Sequence, residues 1–162
     1  MNERFHEIAL EVNGEKVSER VDARTTLVDF LRERLALTGS HVGCEHGVCG
    51  ACSVRVNGAV VRGCLMLAVQ CDGMQVATIE GVARTDEIAD LQQAFIERNA
   101  LQCGYCTPGM LLTAQELLSS GGVPGREAIR AYLSGNYCRC TGYQAIIDAV
   151  EAVAYARAGA QR

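Results

Sequence analysis

The chain has 162 residues, of which 49% are hydrophobic and 21% are charged, so it holds enough apolar side chains for one packed domain or two small ones. The net charge of −4 argues weakly against a nucleic acid partner. No apolar run is long enough to span a bilayer, and the first ten residues carry no apolar export signal, so we expect a cytoplasmic protein.

Short segments of alternating apolar and polar residues in the first eighty positions predict β-strands. Asn13-Gly14 and Asn57-Gly58 have the residue types of two-residue hairpin turns, so the segments around each should pair. The predicted strands cover residues 5–12, 16–21, 52–56, 59–62 and 75–79. Leucines recur at helical spacing between Thr26, a plausible N-cap, and Gly39, which predicts one helix over residues 27–37. The first half is therefore predicted to be a mixed sheet crossed by one helix.

From residue 87 onward the apolar side chains recur at helical spacing, which predicts helices instead of strands. Thr107-Pro108 has the residue types of a helix start, and glycines follow the next two predicted helices. The predicted helices cover residues 87–100, 107–119, 126–133 and 142–158. Four helices with short connections predict a compact bundle, with residues 81–84 as the linker between the two halves.

Eight of the nine cysteines fall into two sets of four. The first set consists of Cys44, Cys49, Cys52 and Cys64. Its spacing, C-x4-C-x2-C with a distant fourth cysteine, is that of plant-type ferredoxins. Gly43, Gly47 and Gly50 allow the backbone to wrap closely around an ion or cluster. Four-cysteine zinc sites usually use two C-x2-C-like pairs, so the spacing favours a 2Fe–2S cluster over zinc.

The second set consists of Cys103, Cys106, Cys138 and Cys140. Its two pairs each stand just before a predicted helix start, where free backbone N–H groups favour thiolates and anionic centres. The two pairs could close one four-thiolate site at the end of the bundle. The spacing of this set alone is nearly as compatible with a zinc site as with an iron–sulfur cluster. The ninth cysteine, Cys71, is expected to be a small buried side chain.

Three motifs together resemble the small iron–sulfur subunits of molybdenum hydroxylases, the xanthine dehydrogenase, aldehyde oxidoreductase and carbon monoxide dehydrogenase family. They lie at residues 43–54, 102–109 and 135–143, in the family's order, with Ser53 where threonine is commoner. The resemblance implies an α+β fold: a β-grasp ferredoxin-like 2Fe–2S domain over residues 1–80, then a four-helix-bundle 2Fe–2S domain over residues 81–162. It implies that each cysteine set binds one cluster.

The resemblance also implies partners and a role in electron transfer. A large subunit would hold molybdenum on molybdopterin, as the cytosine dinucleotide in most bacterial relatives, and a medium subunit would hold FAD. The complex would be a heterotrimer or a dimer of heterotrimers. Electrons would pass from molybdenum through the helical-domain cluster and the ferredoxin-domain cluster to FAD. Gln102 and Cys140 would lie nearest the pterin, and no residue of this chain would be catalytic.

Two alternatives remain at this level. The chain could be a free-standing two-cluster electron carrier without a molybdenum partner, or a zinc-binding structural module. Because the substrate pocket would lie on another chain, the resemblance leaves carbon monoxide, aldehydes, purines and other N-heterocycles open as substrates.

Overall fold

Residues 4–160 are described by the computed structural model, and their first half forms a five-stranded mixed sheet. Its strands are β1 (Phe5–Val12), β2 (Glu15–Asp22), β3 (Ser53–Val56), β4 (Ala59–Arg62) and β5 (Gln75–Ala77). They lie in the order β2-β1-β5-β3-β4, and only the β1–β5 pair is parallel. Asn13 and Asn57 have φ of 53° and 48°, which fits the two predicted hairpin turns.

The helix predicted over residues 27–37 is shorter in the structure. Helix α1 covers Leu27–Asp29 and continues as a π-helical turn over Phe30–Arg34. The Asp29 N–H donates to the hydroxyl oxygen of Thr26 at 3.2 Å, so the predicted N-cap is confirmed. The chain leaves the helix at Ala36, which has φ of 55°, well before Gly39. The leucine spacing indicated the buried face correctly but not this wider final turn.

Within residues 4–160, five α-helices follow the sheet. They are α2 (Ile79–Arg84), α3 (Ala89–Glu97), α4 (Thr107–Ser119), α5 (Arg126–Leu133) and α6 (Gln144–Ala160). The linker predicted over residues 81–84 is wrong, because these residues belong to α2. Because Gly81 has no side chain, α2 can pack on the first hairpin. A Cβ at this position would overlap the side chain of Asn13. The same Asn13 Oδ1 accepts the Thr78 N–H at 2.8 Å. Thr78 lies between the end of β5 and the start of α2.

Two hydrophobic cores support the two halves. One lies between the sheet and α1 and includes Leu10, Phe30 and Leu31; the other lies among α2–α6 and includes Phe95. Cys71 is fully buried in the sheet core, and this burial raises the pKa of its thiol to about 11. The expectation of a small buried side chain is therefore confirmed. Within residues 4–160, no helix is both long and apolar enough to cross a membrane.

Candidate metal centres

The first cysteine set occupies the loop that leads into β3 and the turn that follows β4. Cys44 and Cys49 face each other across the loop, where the Cys49 N–H lies 3.5 Å from Cys44 Sγ. Cys52 stands directly before β3, and its carbonyl accepts the Gly63 N–H at 3.1 Å. Because Cys64 follows Gly63 in the chain, this bond places Cys64 beside Cys52. The loop thus presents two thiol pairs, and none of the nine cysteines forms a disulfide.

Glycines give this loop the shape of a cradle. Gly47 and Gly50 have φ of +87° and +75°, a region that L-residues with a side chain rarely adopt. A Cβ at Gly43 would lie 3.1 Å from Cys49 Sγ, and one at Gly47 would overlap the side chain of Leu65. The space beside the thiols therefore depends on the absence of side chains at these positions.

Backbone N–H groups and burial act in opposite directions on the thiols of this set. The His46 N–H, followed by the Cys49 N–H, lowers the pKa of Cys44 to about 6. Burial raises the pKa of Cys52 to about 11, because its thiolate would lose water. His46 itself is exposed, and its Nδ1 contacts the Cys44 carbonyl. Positive charge from a bound metal would offset the cost of ionising Cys52.

The second set brings together two segments that are distant in sequence. Cys106 is the N-cap of α4, while Cys103 Sγ and Cys140 Sγ lie 3.6 Å apart. Gly142 and Tyr143 have φ of 63° and 68°, and this turn delays the start of α6 to Gln144. The prediction that both pairs adjoin a helix start is therefore right for Cys106 and wrong for Cys140.

The pKa values of the second set also reflect two thiol pairs. Burial, and then the neighbouring Cys138, raise the pKa of Cys106 to about 12. Burial alone would raise the pKa of Cys138, but the hydroxyl and N–H of Thr141 outweigh it and the net shift is downward. The Thr141 hydroxyl donates to Cys138 Sγ at 3.1 Å. A hydrogen bond with Cys103 is the main cause that raises the pKa of Cys140.

These residues fit a two-iron cluster in each set. Among residues 4–160, no three His, Cys, Asp or Glu side chains are grouped as ligands of a single ion. A 2Fe–2S cluster takes two protein ligands at each iron, which suits sites built from thiol pairs. Thr107 Oγ1, next to Cys106 in the chain, is buried without a hydrogen-bond partner and leaves a donor free for a bound sulfur.

Gln102 and Cys140, both expected nearest the pterin of the partner, are in contact at the edge of the second site. Gln102 Nε2 donates to the carbonyl oxygen of Cys140 at 3.1 Å. Both residues are exposed. The geometry therefore leaves this edge of the second site open to a partner.

The sequence analysis missed the residues that join the two sites. Asn136 is 1% exposed, and its Nδ2 donates to the Gly50 carbonyl at 3.3 Å. Tyr105 stacks on His41 with ring centroids 4.4 Å apart, and its hydroxyl donates to the Val42 carbonyl at 2.8 Å. Asn136 and Tyr105 lie within the two C-terminal motifs, but nothing in their spacing pointed to contacts across the halves.

Two family models divide the chain between them. One, described as "2Fe-2S iron-sulfur cluster binding domain", matches residues 10–77, and the other, described as "[2Fe-2S] binding domain", matches residues 78–151. The chain is also similar to caffeine dehydrogenase subunit gamma of Pseudomonas sp. (strain CBB1). The two are 51% identical over 151 residues, covering 91% of this chain and 90% of that protein. The chain belongs to the small iron–sulfur subunits of the molybdenum hydroxylase family.

Other relatives agree with this assignment of the iron–sulfur subunit. The nicotine 6-hydroxylase small subunit of Paenarthrobacter nicotinovorans is 51% identical over 144 residues, covering 89% of this chain and 87% of that protein. The fold superposes on a chain of quinoline 2-oxidoreductase from Pseudomonas putida 86 with a TM-score of 0.90 and 44% identity, covering 98% of both chains.

The subunit therefore has two 2Fe–2S domains and transfers electrons within a multi-subunit oxidoreductase. Aldehyde oxidoreductase from Desulfovibrio gigas matches with a TM-score of 0.86 and 42% identity, over 95% of this chain but 17% of that chain. There the same fold is part of a longer polypeptide. The alternative of a zinc-binding structural module is set aside by these matches.

Proposed function

We propose that the first cysteine set holds one 2Fe–2S cluster and the second set holds another, and that the chain relays electrons between them. The observation that carries this proposal is the close approach within each set: Cys103 Sγ lies 3.6 Å from Cys140 Sγ, and the Cys49 N–H donates to Cys44 Sγ at 3.5 Å. When bound, such clusters accept and release single electrons. The chain itself supplies no catalytic group.

The domain arrangement belongs to the same proposal. We assign a β-grasp ferredoxin-like domain to residues 1–80 and a four-helix-bundle domain to residues 81–162. The sheet with its own core supports the first assignment, and helices α3–α6 with a separate core support the second. Helix α2 would then be a short additional helix at the boundary between the two domains.

The residues around the thiols would bind the clusters and tune their potentials. The N–H groups of His46 and Cys49 stabilise negative charge at Cys44, and the Thr141 hydroxyl does so at Cys138. Such hydrogen bonds favour the reduced state of a cluster, which carries one more negative charge. The buried Cys52 would keep water from one side of its cluster.

The exposed edges of the two sites suit two different partners. Gln102 and Cys140 form the open edge of the second site, which we assign to the large molybdopterin subunit. Val48 and Leu65 are 42% and 63% exposed beside the first site, which we assign to the medium FAD subunit. Electrons would then run from the molybdopterin centre through this chain to FAD, in a cytoplasmic heterotrimer or dimer of heterotrimers.

Several relatives are named for N-heterocyclic substrates. They include the caffeine, nicotine and quinoline enzymes, and the nicotinate dehydrogenase small FeS subunit of Eubacterium barkeri, which is 49% identical over 143 residues. Aldehyde oxidoreductase from Megalodesulfovibrio gigas is 45% identical over 142 residues, which is below the caffeine, nicotine and nicotinate enzymes and level with the quinoline enzyme. We therefore propose N-heterocycles as the first substrate class to test on the complex.

The test is purification of the tagged chain from its native cells under gentle, anaerobic conditions. Co-purification of a molybdenum-containing subunit and a flavin-containing subunit is expected, with dye reduction by one or more N-heterocycles. The variant Cys106→Ser should retain reduction at molybdenum but lose transfer to the dye that accepts electrons from the flavin. Recovery of a monomer with bound iron and no molybdenum partner would instead support the free-standing carrier.

A further inference from the structure

An arginine side chain lies between the two cysteine sets. Arg62 ends β4, two positions before Cys64, and its Nη1 donates to Ser53 Oγ at 2.6 Å. Ser53 directly follows Cys52 in the chain. Nη2 of the same side chain donates at 2.9 Å to the carbonyl oxygen of Gly135, in the segment that leads into the second set. The guanidinium group is therefore bound to chain segments that carry cysteines of both sets.

The surrounding contacts fix the position of this guanidinium group. The Ser53 hydroxyl donates to the Gly50 carbonyl at 2.7 Å, so its oxygen is oriented to accept from Arg62. A Cβ at Gly135 would lie 2.8 Å from Arg62 Nη2, so the absence of a side chain there leaves room for the arginine. Arg62 is partly buried, and its planar fork has one partner on each side. Its positive charge therefore has a defined place relative to both sets.

The hydrogen-bond partners of Arg62 do not neutralise this charge. A guanidinium group stays protonated in proteins, yet both partners of Arg62 are neutral oxygens. The ion pairs formed among residues 4–160 do not include Arg62. A partly buried charge without an opposite charge costs free energy, because the protein interior solvates it less well than water does. The cysteine sets on its two sides are the groups that can supply the missing negative charge.

We propose that Arg62 is the shared counter-charge of the two cluster sites and raises the reduction potential of both. The proposal rests on the assignment of each cysteine set to a 2Fe–2S cluster. A cluster with four thiolates is anionic, and reduction adds one electron, supplied in the complex by substrate oxidation on the partner, without forming or breaking a bond. A fixed positive charge stabilises the reduced form more than the oxidised form, and partial burial strengthens this effect. Arg62 keeps its protons throughout.

Two other arginines near the contact between the halves lack this combination of features. Arg55 on β3 also reaches across the contact, but its charge is paired with Glu87 at 2.9 Å. Arg139 lies between two cysteines of the second set, but it is exposed, so water and salt screen its charge. Arg62 combines partial burial with neutral hydrogen-bond partners on both sides. A charge effect on both clusters is therefore expected from Arg62 and not from Arg55.

The test compares two substitutions of Arg62 in the full chain loaded with both clusters. Arg62→Gln removes the charge and still offers a hydrogen-bond donor, whereas Arg62→Lys retains the charge but loses the forked geometry. Arg55→Gln is the matched control, because it makes the same exchange on the neighbouring strand of the sheet. A dye-mediated redox titration followed by electron paramagnetic resonance (EPR) gives the midpoint potential of each cluster. Iron content and thermal stability monitor folding.

We expect Arg62→Gln to lower both midpoint potentials, so that the equilibrium constant for one-electron reduction of each cluster falls several-fold. Arg62→Lys should lower the thermal stability but keep both potentials close to those of the unmodified chain. Arg55→Gln should leave both potentials unchanged. Unchanged potentials in Arg62→Gln, equal shifts in Arg62→Gln and Arg62→Lys, a shift of one cluster only, or an equal shift in Arg55→Gln would each overturn the proposal.

A neutral isostere covers the case in which Arg62→Gln fails to bind both clusters. Arg62→citrulline, made by nonsense suppression with a photocaged precursor, replaces the guanidinium group with an uncharged urea group of the same shape and keeps a donor for the Gly135 carbonyl. It should lower both potentials, and potentials equal to those of the unmodified chain would overturn the proposal. An unmodified chain that binds fewer than two clusters would instead refute the cysteine assignment itself.

Discussion

Gly50→Ala tests the contact between the two halves at its tightest point. The φ of +75° at Gly50 costs an L-residue about 1–2 kcal/mol. The added methyl group would also lie 2.6 Å from Asn136 Nδ2 and 2.6 Å from the Gly135 carbonyl oxygen. Overpacking of this kind adds about 1–3 kcal/mol, so the total destabilisation should be roughly 2–5 kcal/mol.

The matched control is Gly58→Ala on the β3–β4 turn. Gly58 has φ of +90°, but a Cβ there would meet nothing within 4 Å. Only the backbone cost of about 1–2 kcal/mol applies to it. In a chain of this size 1 kcal/mol shifts Tm by about 2–4 °C, so Gly50→Ala should lower Tm by roughly 4–20 °C and Gly58→Ala by roughly 2–8 °C.

The assay is anaerobic thermal denaturation of the cluster-loaded chain, followed by circular dichroism. Both variants are measured at equal iron content, so that loss of a cluster is not mistaken for lost packing. If Gly50→Ala melts at the same temperature as Gly58→Ala, the close approach of the two loops contributes nothing and the packing argument is refuted.

Three further perturbations test other parts of the structure. Gly109→Ala should destabilise the chain by about 1–3 kcal/mol, against the usual gain in helices, because its methyl group would overlap the Gly50 carbonyl; urea unfolding measures this. Cys106→Ser should remove one cluster and loosen the helical half, seen as halved iron content and lower helical signal. Arg55→Gln should cost up to about 1 kcal/mol at neutral pH, measured by urea unfolding, because Arg55 pairs with Glu87 at 2.9 Å.

The Arg55 variant also has an expected pH signature. The hydrogen bond from Arg55 is the main cause that holds the pKa of Glu87 below its ordinary value of 4.5. A lowered folded-state pKa contributes stability above the unfolded pKa, and this stability is lost as the pH falls through the folded value. The difference between Arg55→Gln and the unmodified chain should therefore shrink below about pH 4.5. A difference that stays constant from pH 7 to about pH 3 would contradict the ion-pair account.

Each of these variants has a control in the same chain. Gly159→Ala on α6 meets nothing within 4 Å and should be neutral or stabilising by up to about 1 kcal/mol. Cys71→Ala should keep full iron content, since Cys71 lies in the sheet core. Arg20→Gln should leave stability unchanged, because its contact with Glu7 is 3.9 Å long and both side chains are exposed. A loss of iron in Cys71→Ala would mean that the ligand set is wrongly assigned.

The features that local chemistry determines could be predicted from the sequence. Asn13-Gly14 and Asn57-Gly58 specify their turns by their own backbone preferences, and the strands around them agree with the structure to within two residues. The cysteine sets were recognisable because metal ligands need a particular residue type at a particular spacing. These signals do not depend on the rest of the fold.

The features that depend on packing could not be predicted. Helix α2 was predicted to be a linker because residues 81–84 lie where the strand pattern changes to the helical one, yet Gly81 is required in this helix by the close approach of Asn13. Asn136 gave no signal, since a polar residue two positions before a cysteine could equally be exposed. Its role follows only from the position of Gly50, far away in sequence. Tertiary contacts decide both cases.

The central claim is that each cysteine set holds its own 2Fe–2S cluster, and EPR of the dithionite-reduced full chain tests it most directly. The expected result is two distinct signals that integrate to two spins per chain, with four irons for two 2Fe–2S domains. Cys64→Ser should remove one signal and Cys106→Ser the other. A single signal, zinc in place of iron, or loss of the same signal in both variants would contradict the claim.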